Sequence, residues 1–201
     1  MKFQEWNKIA RLSREVVITE KIDGTNAQVS IFNGYEILPE DSHMGMIDLT
    51  LNGDKYVILT GSRTRWISTV QDNMGFARWV KDHAEELLAG LGVGSHYGEW
   101  WGQGIQRGYG LKEKKFSLFN VGRWNPENKP SCCEVVPTLY TGMFDTTVIS
   151  MILSELSVKG SVAAPGFMKP EGIVIYHTAA RIMFKKTIEK DETPKSLVSN
   201  V

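Results

Sequence analysis

VVITEKIDGTN, residues 16–26, carries a run of β-branched residues straight into Glu20, Lys21, Ile22, Asp23 and Gly24. β-Branched side chains favour a pleated, half-buried strand, and a glycine after an acid favours a sharp turn. The lysine therefore falls at the end of a buried strand, between two acids. Two readings fit those residues. In one, an edge strand meets a turn and the charges are solvated. In the other, Lys21 is a nucleophile held in a pocket. A free lysine titrates near about 10.4, so a nucleophilic amine needs desolvation or nearby positive charge to lower that value. Gly24 would let the backbone turn and approach a ligand closely.

Outward from that stretch, six segments read as strands: 16–23, 27–33, 56–62, 115–121, 172–177 and 181–187. Gly24, Thr25 and Asn26 are a hairpin signal between the first two, and Thr178, Ala179 and Ala180 separate the last two. Phe76, Trp79, Val80, Leu87, Leu88 and Leu91 recur at helical spacing, with Gly90 and Gly92 as stop signals. A second helix carries Val148, Ile149, Ile152, Leu153 and Leu156, with Asp145 as its cap and Gly160 as its end. Residues 34–55 and 122–140 read as irregular, and the polar tail after Glu189 is expected to fray. Strands in hairpins with helices inserted between them predict an α+β fold with largely antiparallel sheets flanked by helices.

The bulk properties narrow the class. A chain of 201 residues, 42% of them hydrophobic and 23% charged, is long enough for a substantial core. Lys plus Arg and Asp plus Glu balance at 23 each, so the sum of charge points to no nucleic-acid partner, although a local basic groove is compatible with it. The N-terminus lacks the apolar core of a signal peptide and no apolar run reaches the length of a membrane span. Cys132 and Cys133 are adjacent and have no metal-type spacing, which fits reduced thiols. A soluble cytoplasmic protein without membrane contact is expected, and a monomer.

Four further segments carry possible chemistry. In YGEWWGQGIQRGYG, residues 97–110, Glu99 is either an acid in a glycine-rich aromatic loop or a carboxylate accepting from ribose hydroxyls. Arg107 there is either solvated or a phosphate contact. In FSLFNVGRW, residues 116–124, Phe116 and Leu118 suit a core strand, and Phe119 suits stacking on a purine. In PEGIVIYH, residues 170–177, Glu171 is a second isolated acid, and two such acids can help hold a hydrated Mg²⁺ against phosphates. In RIMFKKT, residues 181–187, Lys185 and Lys186 must point to opposite faces of a strand. Lys185 is expected to face the pocket, because Ile182 and Phe184 share the other face with Lys186. Trp66, Trp100, Trp101 and Trp124 fit core packing and base stacking equally.

EKIDG at 20–24, GSRTR at 61–65, YGEWWG at 97–102, FSLFNV at 116–121, EGIV at 171–174 and MFKKT at 183–187 follow one another in an order that resembles the covalent nucleotidyltransferase superfamily. That superfamily comprises ATP-dependent DNA and RNA ligases and mRNA capping enzymes. The likeness covers roughly residues 15–190 and is strongest to RNA ligases of the RNA ligase 2 type, phage-encoded relatives included. It implies an ATP-grasp-like ligase catalytic domain over residues 1–190; the polar tail at 191–201 departs from the family, which places an OB-fold or a small helical domain there, and neither is expected in so short a tail. It implies that Lys21 attacks the α-phosphorus of ATP and holds AMP as a phosphoamide. AMP then passes to a 5′-phosphate end and a 3′-hydroxyl seals the strand. The resemblance further implies that the backbone of Glu20, Ile22 and Gly24 contacts the nucleotide, that Glu99 binds its ribose and that Phe119 stacks on adenine. Arg63 is implied at the nucleotide phosphates, and Arg65, Arg107 and Lys186 at phosphates of the strand. Glu171 would position Mg²⁺ or Mn²⁺. Lys185 would contact the AMP phosphate and lower the Lys21 pKa by like-charge repulsion. The partners implied are RNA ends or a nicked RNA duplex, and the compartment the cytoplasm, a host's if the chain is phage-encoded. Met183 stands where the family's motif V usually has its first lysine, and Asn120 where motif IIIa often has an acid. A small DNA ligase, a capping guanylyltransferase using GTP and a non-catalytic nucleic-acid-binding relative are the other readings.

Overall fold

The computed structural model describes residues 2–6, 8–35, 38–39 and 45–192. In chain order the elements are β1 (Glu15–Lys21), β2 (Thr25–Asn33), β3 (Ile47–Leu51), β4 (Asp54–Gly61), β5 (Trp66–Ile67), α1 (Phe76–Asp82), α2 (Ala84–Leu91), β6 (Gly94–Gly102), β7 (Lys114–Leu118), β8 (Glu134–Val135), β9 (Thr138–Met143), α3 (Thr146–Lys159), β10 (Gly172–His177) and β11 (Ile182–Thr187). They form two compact units. The first holds residues 1–22 and 137–201, and the second holds residues 23–136.

In the first unit four strands run antiparallel in the order β11, β10, β1, β9. The period of two along a strand sends alternate side chains to opposite faces. Val16 and Ile18 on β1, with Ile173 and Ile175 on β10, therefore share one face, which packs against Ile149 and Leu156 of α3. Asp145 caps α3 as expected, its Oδ1 accepting from Thr147 N at 2.7 Å. Gly160 ends it at a positive φ of 87°. On the opposite face of the sheet stand Val17, Thr19 and Lys21 of β1, with Val174 and Tyr176 of β10.

The second unit carries a mixed sheet in the order β3, β4, β2, β6, β7, β8, with β5 paired to β4. All its ladders are antiparallel except β7 with β8. Ala27, Val29 and Ile31 of β2 alternate onto the face that packs with Phe76, Val80, Leu87 and Leu91 of α1 and α2. Trp100, Phe116 and Leu118 lie in that same core. No helix among the described residues is long and apolar enough to cross a membrane.

Four expectations differ from this fold. One helix over Phe76–Leu91 is instead two, broken at His83, whose φ is −114°. The His83 ring nitrogen lies 2.8 Å from Trp79 O and its backbone N–H bonds the same carbonyl, so that acceptor closes the first helix. Residues 94–102, glycine-rich and without clean alternation, form the long strand β6. The stretches 34–55 and 122–140 contain β3, β8 and the start of β9. The expected strand over 115–121 ends at Leu118, leaving Phe119 beyond it. The tail from residue 193 onward lies outside the described residues.

Candidate functional site

In the first unit the site begins at the end of β1. Lys21 pairs across with Gly172, the first residue of β10, so Glu171 sits beside it one step earlier in the chain. Lys21 Nζ donates to Glu171 Oε2 at 2.5 Å, with the lysine half-buried and the glutamate buried. The backbone of Glu171 is fixed as well, its carbonyl accepting from Ile188 N at 2.9 Å. The register of β11 on β10 puts Met183 and Lys185 on the Lys21 face and Phe184 and Lys186 on the α3 face. Lys185 is exposed there. Lys186 is partly exposed and paired: its Nζ lies 3.3 Å from Asp191 Oδ2, and Thr187 N bonds the same carboxylate.

Glu20 points the other way. Its carboxylate is 1% exposed and accepts from Ser161 Oγ at 2.6 Å, Val162 N at 2.8 Å and Ala163 N at 2.9 Å. The side chain next to Lys21 thus ties β1 to the loop that follows α3. Its backbone N–H donates to Pro137 O at 2.9 Å.

In the second unit the turn after β1 is held by β6 and the loop beyond it. Gly24 N donates to Glu99 Oε1 at 3.0 Å. A Cβ on Gly24 would lie 2.5 Å from Trp100 O, so glycine is required here by the close approach of β6. Asp23 N donates to Tyr109 Oη at 2.8 Å, and Arg107 Nε to Asp23 Oδ2 at 3.1 Å. Arg107, which sequence left as either solvated or a phosphate contact, is thus paired with the turn. Tyr109 is packed edge-on against Trp101, their centroids 4.9 Å apart, which fixes its hydroxyl.

The strand β6 shows its alternation once it is placed. His96, Gly98 and Trp100 face the helices, and Ser95, Tyr97, Glu99 and Trp101 face away. Asn26 pairs directly across from Glu99. Phe119 lies next to Tyr97, donating its N–H to Tyr97 O at 2.9 Å, and both rings are exposed. Arg63 and Arg65 are exposed in the turn between β4 and β5. Sequence reasoning missed Tyr97, Asn26 and Tyr109. Reading YGEWWG as a strand would have paired Tyr97 with Glu99 by parity. No local signal marks Tyr109, whose role comes from a fold-back of the chain.

The sequence profile of the RNA ligase family matches residues 14–190. The chain belongs to the RNA ligase family. Its fold is that of RNA ligase catalytic domains, as solved structures of Naegleria gruberi RNA ligase show. A mutant with ATP and manganese aligns at a TM-score of 0.56 and 20% identity, over 89% of this chain and 51% of that one. The enzyme with PPi aligns at 0.55 and 18%, over 87% and 50%. A mutant in the apo form aligns at 0.54 and 17%, over 87% and 50%. The chain spans about half the length of these structures. No curated protein matches it by sequence.

Proposed function

We propose that this RNA ligase family member is an ATP-dependent ligase that works through a lysyl-AMP intermediate on Lys21. The observation that carries the reading is the Lys21–Glu171 pair, an amine on a carboxylate at 2.5 Å at the end of a buried strand. An ammonium must lose a proton before it attacks phosphorus, and Glu171 Oε2 is an acceptor already in hydrogen-bond contact. Lys21 Nζ then forms a bond to the α-phosphorus of ATP as the bond to the leaving pyrophosphate breaks. A 5′-phosphate displaces the lysine to give an adenylylated end. A 3′-hydroxyl attacks that end and releases AMP. In this reading Glu99 holds the ribose, Phe119 carries the adenine, the backbone from Glu20 to Gly24 lines the nucleotide, and Lys185 contacts its phosphate. Arg63 and Arg65 take phosphates.

Glu171 suits a divalent cation, because a buried carboxylate beside an amine at a phosphate-transfer position is a hard oxygen donor. Among the described residues no three His, Cys, Asp or Glu side chains gather. A cation at Glu171 would therefore keep most of its ligands as water and phosphate oxygens, as Mg²⁺ commonly does. Bound there, Mg²⁺ or Mn²⁺ would offset charge on the phosphates.

The test is incubation with ATP and Mg²⁺ followed by intact mass spectrometry and peptide mapping. A gain of one AMP on Lys21, absent from Lys21→Ala, is the expected result. An unmodified starting protein that gains nothing from ATP, or a Lys21→Ala variant that labels normally, would refute it.

A further inference from the structure

β11 is an edge strand of the first unit's sheet, paired with β10 on one side. The ladder decides which of its backbone groups face outward. Ile188 N donates to Glu171 O, and along an antiparallel pair hydrogen-bonded residues alternate with non-bonded ones. Lys186, Phe184 and Ile182 therefore turn their backbone groups toward Ile173, Ile175 and His177 of β10. Met183, Lys185 and Thr187 turn theirs away from the sheet. Thr187 bears this out, since its N–H donates to Asp191 Oδ1 at 2.8 Å, outside the ladder. The N–H and C=O groups of Met183 and Lys185 have no hydrogen-bond partner among the described residues.

The open edge is also apolar. Ile182, Met183 and Phe184 are each more than half exposed. Such an edge is a template for another strand unless lysines, prolines or bulges guard it. Of the two lysines here, Lys186 is drawn to Asp191, and the effect of Lys185 depends on what stands opposite. The charges of β11 fit β11 of a second copy in one register only. Antiparallel self-pairing sets outward residue against outward residue, which leaves three registers that keep Met183 and Lys185 opposite residues of 181–187. Centred on Lys185, lysine opposes lysine, and Met183 meets Thr187, whose N–H is already taken. Centred on Met183, Lys185 opposes Arg181. Like charges directly opposite are destabilising. Centred on Phe184, Met183 opposes Lys185, Phe184 opposes Phe184 and Ile182 opposes Lys186. All the open backbone groups then pair, and no like charges oppose. Arg181 comes to stand across from Thr187 and beside the Asp191 carboxylate that holds it, an opposite charge at each end of the ladder.

We propose that the β11 edge joins two copies of this chain, antiparallel about a two-fold axis at Phe184, four strands from each copy forming one continuous sheet. The interface is self-complementary, as a two-fold contact must be. The two Phe184 side chains meet on the α3 face as a non-hydrogen-bonded pair, their Cα atoms about 4.5 Å apart, and cross-strand aromatic pairs are favourable. Lys185 is then held in a ladder on both sides while its side chain stays on the Lys21 face. The inference goes beyond the ligase reading and does not depend on it.

The experiment is sedimentation velocity of the full chain over a concentration series, joined to thiol cross-linking. The wild type is expected to sediment as a dimer at about 100 µM and to dissociate on dilution, as a small interface does. Phe184→Lys removes the ring pair and sets two ammonium groups opposite each other, and is expected to weaken the dimer about tenfold or more. Phe184→Cys is expected to give a disulfide-linked dimer on a non-reducing gel after mild oxidation, because Cα atoms about 4.5 Å apart lie within disulfide reach. Ile182→Cys is expected to give none, since the two thiols would stand four residues apart along the strands, about 13 Å. That variant also controls for Cys132, which is partly exposed. A wild type that stays monomeric at about 100 µM would overturn the proposal. So would a dimer that a folded Phe184→Lys leaves intact, or equal cross-linking of the two cysteine variants. If Phe184→Lys does not fold, the cysteine pair decides.

Discussion

Replacing Glu20 by alanine should cost the protein about 3 kcal/mol, most of it from donors left without an acceptor. The carboxylate is 1% exposed and accepts three hydrogen bonds, from Ser161 Oγ, Val162 N and Ala163 N. Ser161 is buried, so its hydroxyl loses a full partner. The N–H groups of Val162 and Ala163 are only partly buried and water can replace part of the bond. Removing a partner from a buried donor costs about 1–3 kcal/mol, and a typical net hydrogen bond contributes about 0.5–1.5 kcal/mol. One bond of the first kind and two of the second span about 2–6 kcal/mol, and water at the two part-buried N–H groups brings the expected cost to about 3 kcal/mol, in the lower half of that span. Glu20→Gln keeps the shape and one acceptor oxygen but turns N–H donors toward donors, so it should cost roughly half as much. The assay is urea unfolding followed by far-UV circular dichroism. With a slope of about 2 kcal/mol/M, the alanine variant's midpoint should fall by about 1.5 M. Hydrogen exchange adds a local readout, because the amides of Val162 and Ala163 should lose protection first. A midpoint shift below about 0.3 M, with those amides still protected, would show that the clamp contributes nothing to stability.

Two further perturbations follow from burial and packing in the second unit. His96 is buried, and that burial pushes its imidazole below the usual histidine range, opposed by the Nε2–H bond to Gly92 O and reinforced by the charge of Arg123. Its contribution is complete above the unfolded value of about 6.5 and is lost as pH falls from there toward the lowered folded value, because the unfolded chain then binds the extra proton. Urea midpoints measured from pH 7 down to pH 5 should therefore decline, and His96→Gln should flatten part of that decline; an identical pH profile in the variant would contradict it. Gly98→Ala should destabilise by about 3 kcal/mol or more, the upper range for overpacking, since the added Cβ would lie 2.5 Å from Phe116 Cε2 and closer still to Ser117 O, in a strand paired on both sides. Near-normal urea stability in that variant would mean β6 and β7 can part at little cost.

Much of the fold was legible because the signals are local. The cap at Asp145 and the stop at Gly160 bound α3 as read, and the pairing of β10 with β11 follows from two β-rich runs a few residues apart. The break at His83 was not legible, since the apolar positions on both sides keep helical spacing and only the side chain's bond to Trp79 O divides them. Strand β6 was hidden by its glycines. Gly98 is small because Phe116 and the β7 backbone occupy the space beside it, a reason that lies on another strand.

For the site, the residues and their order along the chain identify the family and single out Lys21, Glu99 and Glu171. What each of them touches is set by register. The lysine and its glutamate are 150 positions apart and meet only because β1 and β10 pair with Lys21 opposite Gly172. The two acids of the opening stretch look alike in sequence and part in space. Glu20 follows the inward face of β1 into the loop after α3, while Asp23 is taken up by Arg107 and Tyr109. The row of Trp66, Gly61, Gln28 and Tyr97 exists only across four strands, with Phe119 just past β7 beside it. A single sequence records which side chains alternate along each strand, but it holds no term for the offset between strands, and that offset decides which side chains share a face.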